Sequence, residues 1–227
     1  MHAQPATRPP RRAPALLWDL DGTILDSIDL IVEGADYAFA GREGPRPTRA
    51  EWQALIGTSL DSMLARWATD VGDLTALRAR YRQFQVQNHD RLVRLYPGVA
   101  DLLRDMHARG HPMAIVSSKM EAGILRSMDH FGLTRLFERI VGTESTARHK
   151  PDPEPVRFAL DALSVAPAHA LFIGDSPHDS AAANAAGVSM VGVTWGAYTD
   201  DEIAAAGPSR RVSSAAEIAA LVEALGG

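Results

Sequence analysis

The chain has 227 residues, 46% of them hydrophobic and 22% charged, with a formal net charge of −5. That length and balance fit one large globular domain, or one domain with an inserted module, and no basic face for nucleic acid is advertised. With no cysteine, a disulfide framework, a thiol nucleophile and a zinc–thiolate site are all excluded. No apolar run approaches the roughly 20 residues needed to span a bilayer.

Residues 1–13 hold Pro5, Pro9, Pro10, Arg8, Arg11 and Arg12 and little to bury, so a disordered tail is expected. Arg11-Arg12 is not followed by the long apolar region of an export signal. Ala15–Trp18 reads as a short buried strand. It runs into Asp19-Leu20-Asp21-Gly22-Thr23, and helical periodicity is expected to start at Ile24. In an extended chain residues i and i+2 point the same way, so Asp19 and Asp21 share a side. Gly22 permits a sharp turn and close approach of backbone N–H groups to an anion.

Residues 27–95 contain no convincing strand. Ser27 is placed to cap a helix through Ile28, Ile31, Val32 and Ala35. A loop follows over 41–47, then helical stretches at 49–56, 60–68 and 74–92. Beyond Tyr96-Pro97-Gly98 the periods alternate. Helices are expected from Val99 to near Gly110, over 120–131, 153–163 and 179–186, and over 215–225. Strands are expected at 112–117, 137–141, 170–174 and 188–193. Such alternation predicts a doubly wound α/β fold with a parallel sheet covered on both faces. Ligands of these sheets bind beyond the carboxyl ends of the strands, where Asp19, Ser117 and Asp175 would converge.

Four segments, in order, carry the chemistry. They are Asp19–Thr23, Ile115-Val116-Ser117-Ser118-Lys119, Lys150-Pro151-Asp152-Pro153 and Phe172-Ile173-Gly174-Asp175-Ser176-Pro177-His178-Asp179. Together they resemble the haloacid dehalogenase superfamily of phosphohydrolases, from about residue 14 to the C-terminus. The resemblance implies a Rossmann-like core at 14–26 and 96–227, with 27–95 inserted as a mobile helical cap over the active site.

The resemblance also implies roles. Asp19 would be the nucleophile of an aspartyl-phosphate mechanism, and Asp21 the acid and then the base. Ser117 would bind the transferred phosphoryl group and Lys150 would neutralise its oxygens. Mg²⁺ would be held by Asp19, the Asp21 carbonyl and Asp175, with Asp179 supporting it directly or through water. Gly22, Thr23, Thr58, Ser59 and Ser118 complete the expected substrate contacts. None of the eight histidines is given a metal role. His107 and His111 have helical spacing, but Gly110 and Pro112 end the helix between them.

Asp21 argues against a dehalogenase, which lacks the second aspartate. A sugar-phosphate mutase of the β-phosphoglucomutase type would carry a cap His and Arg where Ile31 and Leu60 stand. The closest resemblance is to phosphoglycolate phosphatases and the related pyrophosphatases of the superfamily. Leu55–Leu60, Tyr81–Phe84, Asn88-His89-Asp90 and Lys150–Pro155 look most like the pyrophosphatase branch. The expected partner is a small phosphorylated metabolite, without nucleic acid or membrane, in a cytoplasmic monomer or homodimer. A phosphorelay receiver or a non-catalytic phosphate-binding protein is the reading from another class. Receivers lack an insert such as 27–95.

Overall fold

A computed structural model describes residues 13–226. The tail expected over 1–13 therefore lies, but for Ala13, outside the described residues. Six parallel strands form the main sheet. They are β1 (Ala15–Trp18), β4 (Met113–Val116), β5 (Arg139–Val141), β6 (Ala170–Gly174), β7 (Ser189–Val193) and β8 (Arg210–Val212). The remaining pair, β2 (Leu25–Asp26) and β3 (Arg94–Leu95), forms a separate antiparallel ribbon.

The order across the main sheet is β5-β4-β1-β6-β7-β8. The winding reverses at β1, and this reversal opens a crevice at its carboxyl end. Burial along β1 follows the two-residue period of a strand covered on both faces. Leu16 and Trp18 join one apolar cluster with α5 (Val99–Ala108), α6 (Glu121–His130) and α10 (Ala215–Gly226). Ala15 and Leu17 join the other with α7 (Glu154–Leu163) and α8 (Pro177–Ala186). Each strand end is thus fixed by packing on both sides.

The chain leaves this core through β2 and returns through β3, with Leu25 opposite Leu95 and Asp26 opposite Arg94. Between them lie α1 (Ile28–Phe39), α2 (Arg49–Gln53), α3 (Leu60–Leu64) and α4 (Val71–Leu92). These helices bury an apolar cluster of their own, with Phe39, Trp52, Leu64, Leu77 and Tyr81 in it. Trp52 stacks edge-on to Phe39 at 6.0 Å between centroids. Truncating such a buried aromatic costs about 3–5 kcal/mol.

The ribbon corrects two expectations. Leu25 and Asp26 are strand, not the start of a helix, and a strand does fall within 27–95, at Arg94–Leu95. Two-residue strands are too short to show a period. Ser27 does occupy the position before α1, but its side chain makes no capping bond. It donates to Asp21 Oδ1 at 2.6 Å instead. The turn of helix at α9 (Asp200–Ala205) and the strand β8 were not anticipated.

Candidate active site

The site gathers at the crevice. Asp19 follows β1 directly, and its N–H donates to Ile173 O at 2.9 Å. Ser117 follows β4, and its N–H donates to Val141 O at 2.9 Å. Asp175 follows β6, and Ser176 caps α8 through a capping box with Asp179. Lys150 reaches in from the loop before α7, its side chain 1% exposed. Its Nζ donates to Asp19 Oδ1 at 2.6 Å, Asp179 Oδ1 at 2.6 Å and Val116 O at 3.1 Å.

Asp19, Asp175 and Asp179 are buried and bring carboxylate oxygens within 4.8 Å of one another. Three carboxylates against the one ammonium of Lys150 leave two negative charges in a dry place. Burial pushes the Asp19 carboxyl up, to about 7, against the pull of Lys150. Burial, with Asp19 and Asp179 alongside, likewise raises Asp175 well above the carboxylate range. Burial works against the charge of Lys150, yet Asp179 and Asp19 hold its pKa above the ordinary value. Excess negative charge on hard oxygen donors suits a divalent cation such as Mg²⁺. The two oxygens of Asp179 already have protein donors, Lys150 on Oδ1 and the Ser176 N–H and hydroxyl on Oδ2.

Asp21 stands apart from this cluster. Its carboxylate accepts from Lys119 Nζ at 2.8 and 3.1 Å and from Ser27. The two aspartates, two residues apart, therefore face different lysines. Lys119 is not among the site residues expected from the sequence. A charge after two serines was the available signal.

Gly22 makes the sharp turn expected of it. Its φ is +88°, and its N–H is spent on Leu25 O at 2.8 Å. A Cβ there would fall 2.2 Å from Asp175 Oδ2, so the residue must be glycine for the carboxylate to fit. Thr23 is fully buried, and its N–H donates to Leu20 O.

A cleft of about 400 Å³ opens over the site between the core and the helices of 27–95. Asp19, Asp21, Ser117, Ser118, Thr58 and Ser59 all line it, whereas Gly22 and Thr23 do not. The Thr58 hydroxyl donates to Leu55 O at 2.8 Å, and the Ser59 hydroxyl caps α3 by accepting from Ser62 N. Lys119, Arg82 and Arg126 add positive charge to the walls. His107 and His111 form no pair: His111 Nδ1 lies 2.9 Å from Pro14 O.

The chain matches the haloacid dehalogenase-like hydrolase family over residues 16–193. It is 31% identical to pyrophosphatase PpaX of Bacillus pumilus, over 91% of this chain and 95% of that protein. It is 30% identical to pyrophosphatase PpaX of Listeria monocytogenes, again over 91% and 95%. Its fold is similar to that of a predicted phosphoglycolate phosphatase from Haemophilus somnus, with a TM-score of 0.85 and 24% identity over 93% of this chain and 98% of that one. The chain belongs to the haloacid dehalogenase-like hydrolases. Among the described residues, no helix is long and apolar enough to cross a membrane.

Proposed function

We propose that this hydrolase is a Mg²⁺-dependent phosphatase for a small, compact phosphorylated metabolite of the phosphoglycolate or pyrophosphate class. The observation that carries the reading is the Lys150 ammonium held between Asp19 and Asp179, 2.6 Å from each, with Asp175 in the same buried cluster and Asp19 opening onto the cleft. Phosphoryl transfer asks a protein chiefly for positioning and for charge to meet charge.

Lys150 occupies Asp19 Oδ1, which leaves Oδ2 to attack phosphorus. The phosphorus–oxygen bond to the leaving group breaks as the Asp19–phosphorus bond forms, and Asp21 gives the leaving oxygen its proton. Water then attacks the aspartyl-phosphate, Asp21 takes a proton from it, and Asp19 is regenerated. Ser117 and Lys150 hold the phosphoryl oxygens. Asp19, the Asp21 carbonyl and Asp175 would hold the cation, and Asp179, whose oxygens are taken, would act through Lys150 and water. The cation supplies positive charge that offsets the charge of the phosphoryl group.

Residues 27–95 act as a cap. Its buried cluster and its two-strand tether support movement as a unit. The pyrophosphatase relatives and the absence of a His or Arg at Ile31 and Leu60 favour hydrolysis of a small anion over mutase chemistry. The test is a screen of phosphorylated metabolites with Mg²⁺ and with excess chelator. Pyrophosphate or phosphoglycolate should exceed hexose phosphates by at least roughly tenfold in kcat/KM, a gap of about 1.4 kcal/mol. Full activity in chelator would remove the cation, and a preference for hexose phosphates would remove the small-substrate reading.

A further inference from the structure

The loop after β7 touches both halves of the molecule. On the core side, Trp195 Nε1 donates to Thr23 O at 3.1 Å, beside the paired aspartates. A Cβ on Gly196 would fall 2.2 Å from Asp175 Oδ2. The next N–H, that of Ala197, donates to the same oxygen at 2.7 Å. The backbone of 196–197 is therefore laid directly on Asp175.

On the side of the helical insert, the same residues are gripped again. Gln53 Nε2, at the end of α2, donates to Ala197 O at 2.9 Å. The Tyr198 hydroxyl reaches Ala54 O at 2.8 Å and Ile56 O at 2.9 Å. Ala197 also packs on the apolar cluster of the insert. The carbonyls that Tyr198 meets belong to the segment that runs into Gly57, Thr58 and Ser59, on the cleft wall. One residue, Ala197, thus presents its N–H to a site carboxylate and its C=O and methyl group to the insert.

We propose that residues 195–198 form a strap that couples seating of the helical insert to the placement of Asp175, with Tyr198 and Gln53 as positioning residues. The proposal rests on the reading of Asp175 as a cation ligand. With the insert seated, Gln53 and Tyr198 fix the 197–198 backbone, and the Ala197 N–H fixes Asp175 Oδ2. When the insert lifts, these bonds part together, and Asp175 loses its backbone donor. The carboxylate set is then complete only while the cleft is covered. One short peptide with partners on each side would carry this coupling.

The test uses the full chain with Tyr198→Phe, Gln53→Ala and both together. Arg49→Ala, which removes an exposed ion pair to Asp36 elsewhere on the insert, is the control. Two quantities are read: amide exchange over 54–57 and 195–198, and calorimetric binding of Mn²⁺ without substrate. Each variant should speed exchange at the Ala197 amide and weaken Mn²⁺ by roughly three- to tenfold, the worth of about one hydrogen bond. The control should change neither. Faster exchange confined to 54–57, with Ala197 and Mn²⁺ affinity as in the wild type, would overturn the strap. If the wild type bound no Mn²⁺, the cation reading would fail, and exchange at Ala197 would still decide the coupling. Tyr198→Phe keeps the ring and its packing, so a loss there is not a loss of fold.

Discussion

Lys119 Nζ lies 2.8 Å from Asp21 Oδ1, while Lys150 Nζ lies 2.6 Å from Asp19 Oδ1. The paired aspartates of one turn are thus held by cations from two different loops. Lys150 is nearly sealed, at 1% side-chain exposure, and Lys119 faces the cleft at 18%. Two carboxylates of one type can take separate roles because their surroundings differ.

Lys119→Met should therefore disturb the placing of Asp21, which Lys119 holds, rather than the nucleophile. Turnover of alkyl phosphates, whose leaving group needs a proton, should fall about tenfold or more, within the range that acid–base catalysis contributes. An aryl phosphate, with a better leaving group, should fall less. Steady-state kcat on the two substrate types checks this. An equal loss on both would mean that Lys119 does not act through Asp21.

Lys150→Met removes one partner of a buried pair and leaves Asp19 and Asp179 facing each other. A fall in unfolding free energy of about 3–5 kcal/mol is expected in the absence of cation. Added Mg²⁺ should return part of it, since a divalent ion would offset the same charge. Urea unfolding with and without Mg²⁺ measures both effects. An undamaged protein would show that the three charges are not interdependent.

His89 gives the fold a pH dependence. It sits near the end of α4, with Nε2 2.8 Å from the Ser127 hydroxyl of α6 and Nδ1 2.7 Å from Asp90 Oδ1. Burial lowers its pKa, outweighing the opposite pull of Asp90, and Lys119 and Arg126 push the same way as burial. The folded value thus lies below the unfolded value of about 6.5, and between the two the unfolded chain binds more protons. This contribution is present above about pH 6.5 and is lost as the pH falls through that window. His89→Gln should flatten, by this one group, the part of the stability profile that falls as the pH drops below about 6.5. Urea midpoints across the window, wild type against variant, decide it; parallel profiles would contradict it.

What the sequence made legible follows from strong local signals. The apolar run at 15–18 and the one expected at 112–117, each leading into a polar residue, are buried strands at Ala15–Trp18 and Met113–Val116, and their ends place Asp19 and Ser117. Gly187 marked the end of α8, whereas its start at Pro177 comes two residues before the expected 179. What escaped was set by tertiary contact. The β2–β3 ribbon is two residues a side. Ser27 has the residue type and position of a cap, yet its hydroxyl donates to the Asp21 carboxylate. The Thr58 hydroxyl, expected to face substrate, donates to Leu55 O. Tyr198 and Gln53 meet partners more than 140 residues away along the chain, which no window can see.

Gly22 and Gly110 separate backbone strain from crowding. Both have positive φ, +88° and +80°, but an added Cβ meets Asp175 at 2.2 Å in the first case and open space in the second. Alanine at either position should cost about 1 kcal/mol or more through the strained φ. Only Gly22→Ala should abolish turnover, because only there must a site carboxylate move. Melting temperatures and kcat for the two variants check it, and an active Gly22→Ala would mean that the position of Asp175 is not critical.

The most direct test of the central claim is to find the phosphoryl group on the protein. Wild type and Asp21→Asn are mixed with a labelled aryl phosphate and Mg²⁺, quenched in acid within the first turnover, and digested for peptide mapping. The account predicts a base-labile phosphoryl group on the Asp19 side chain, accumulating in Asp21→Asn because no base activates the water that should remove it. Label on any other residue, or turnover by the wild type with no label ever reaching the protein, would contradict it.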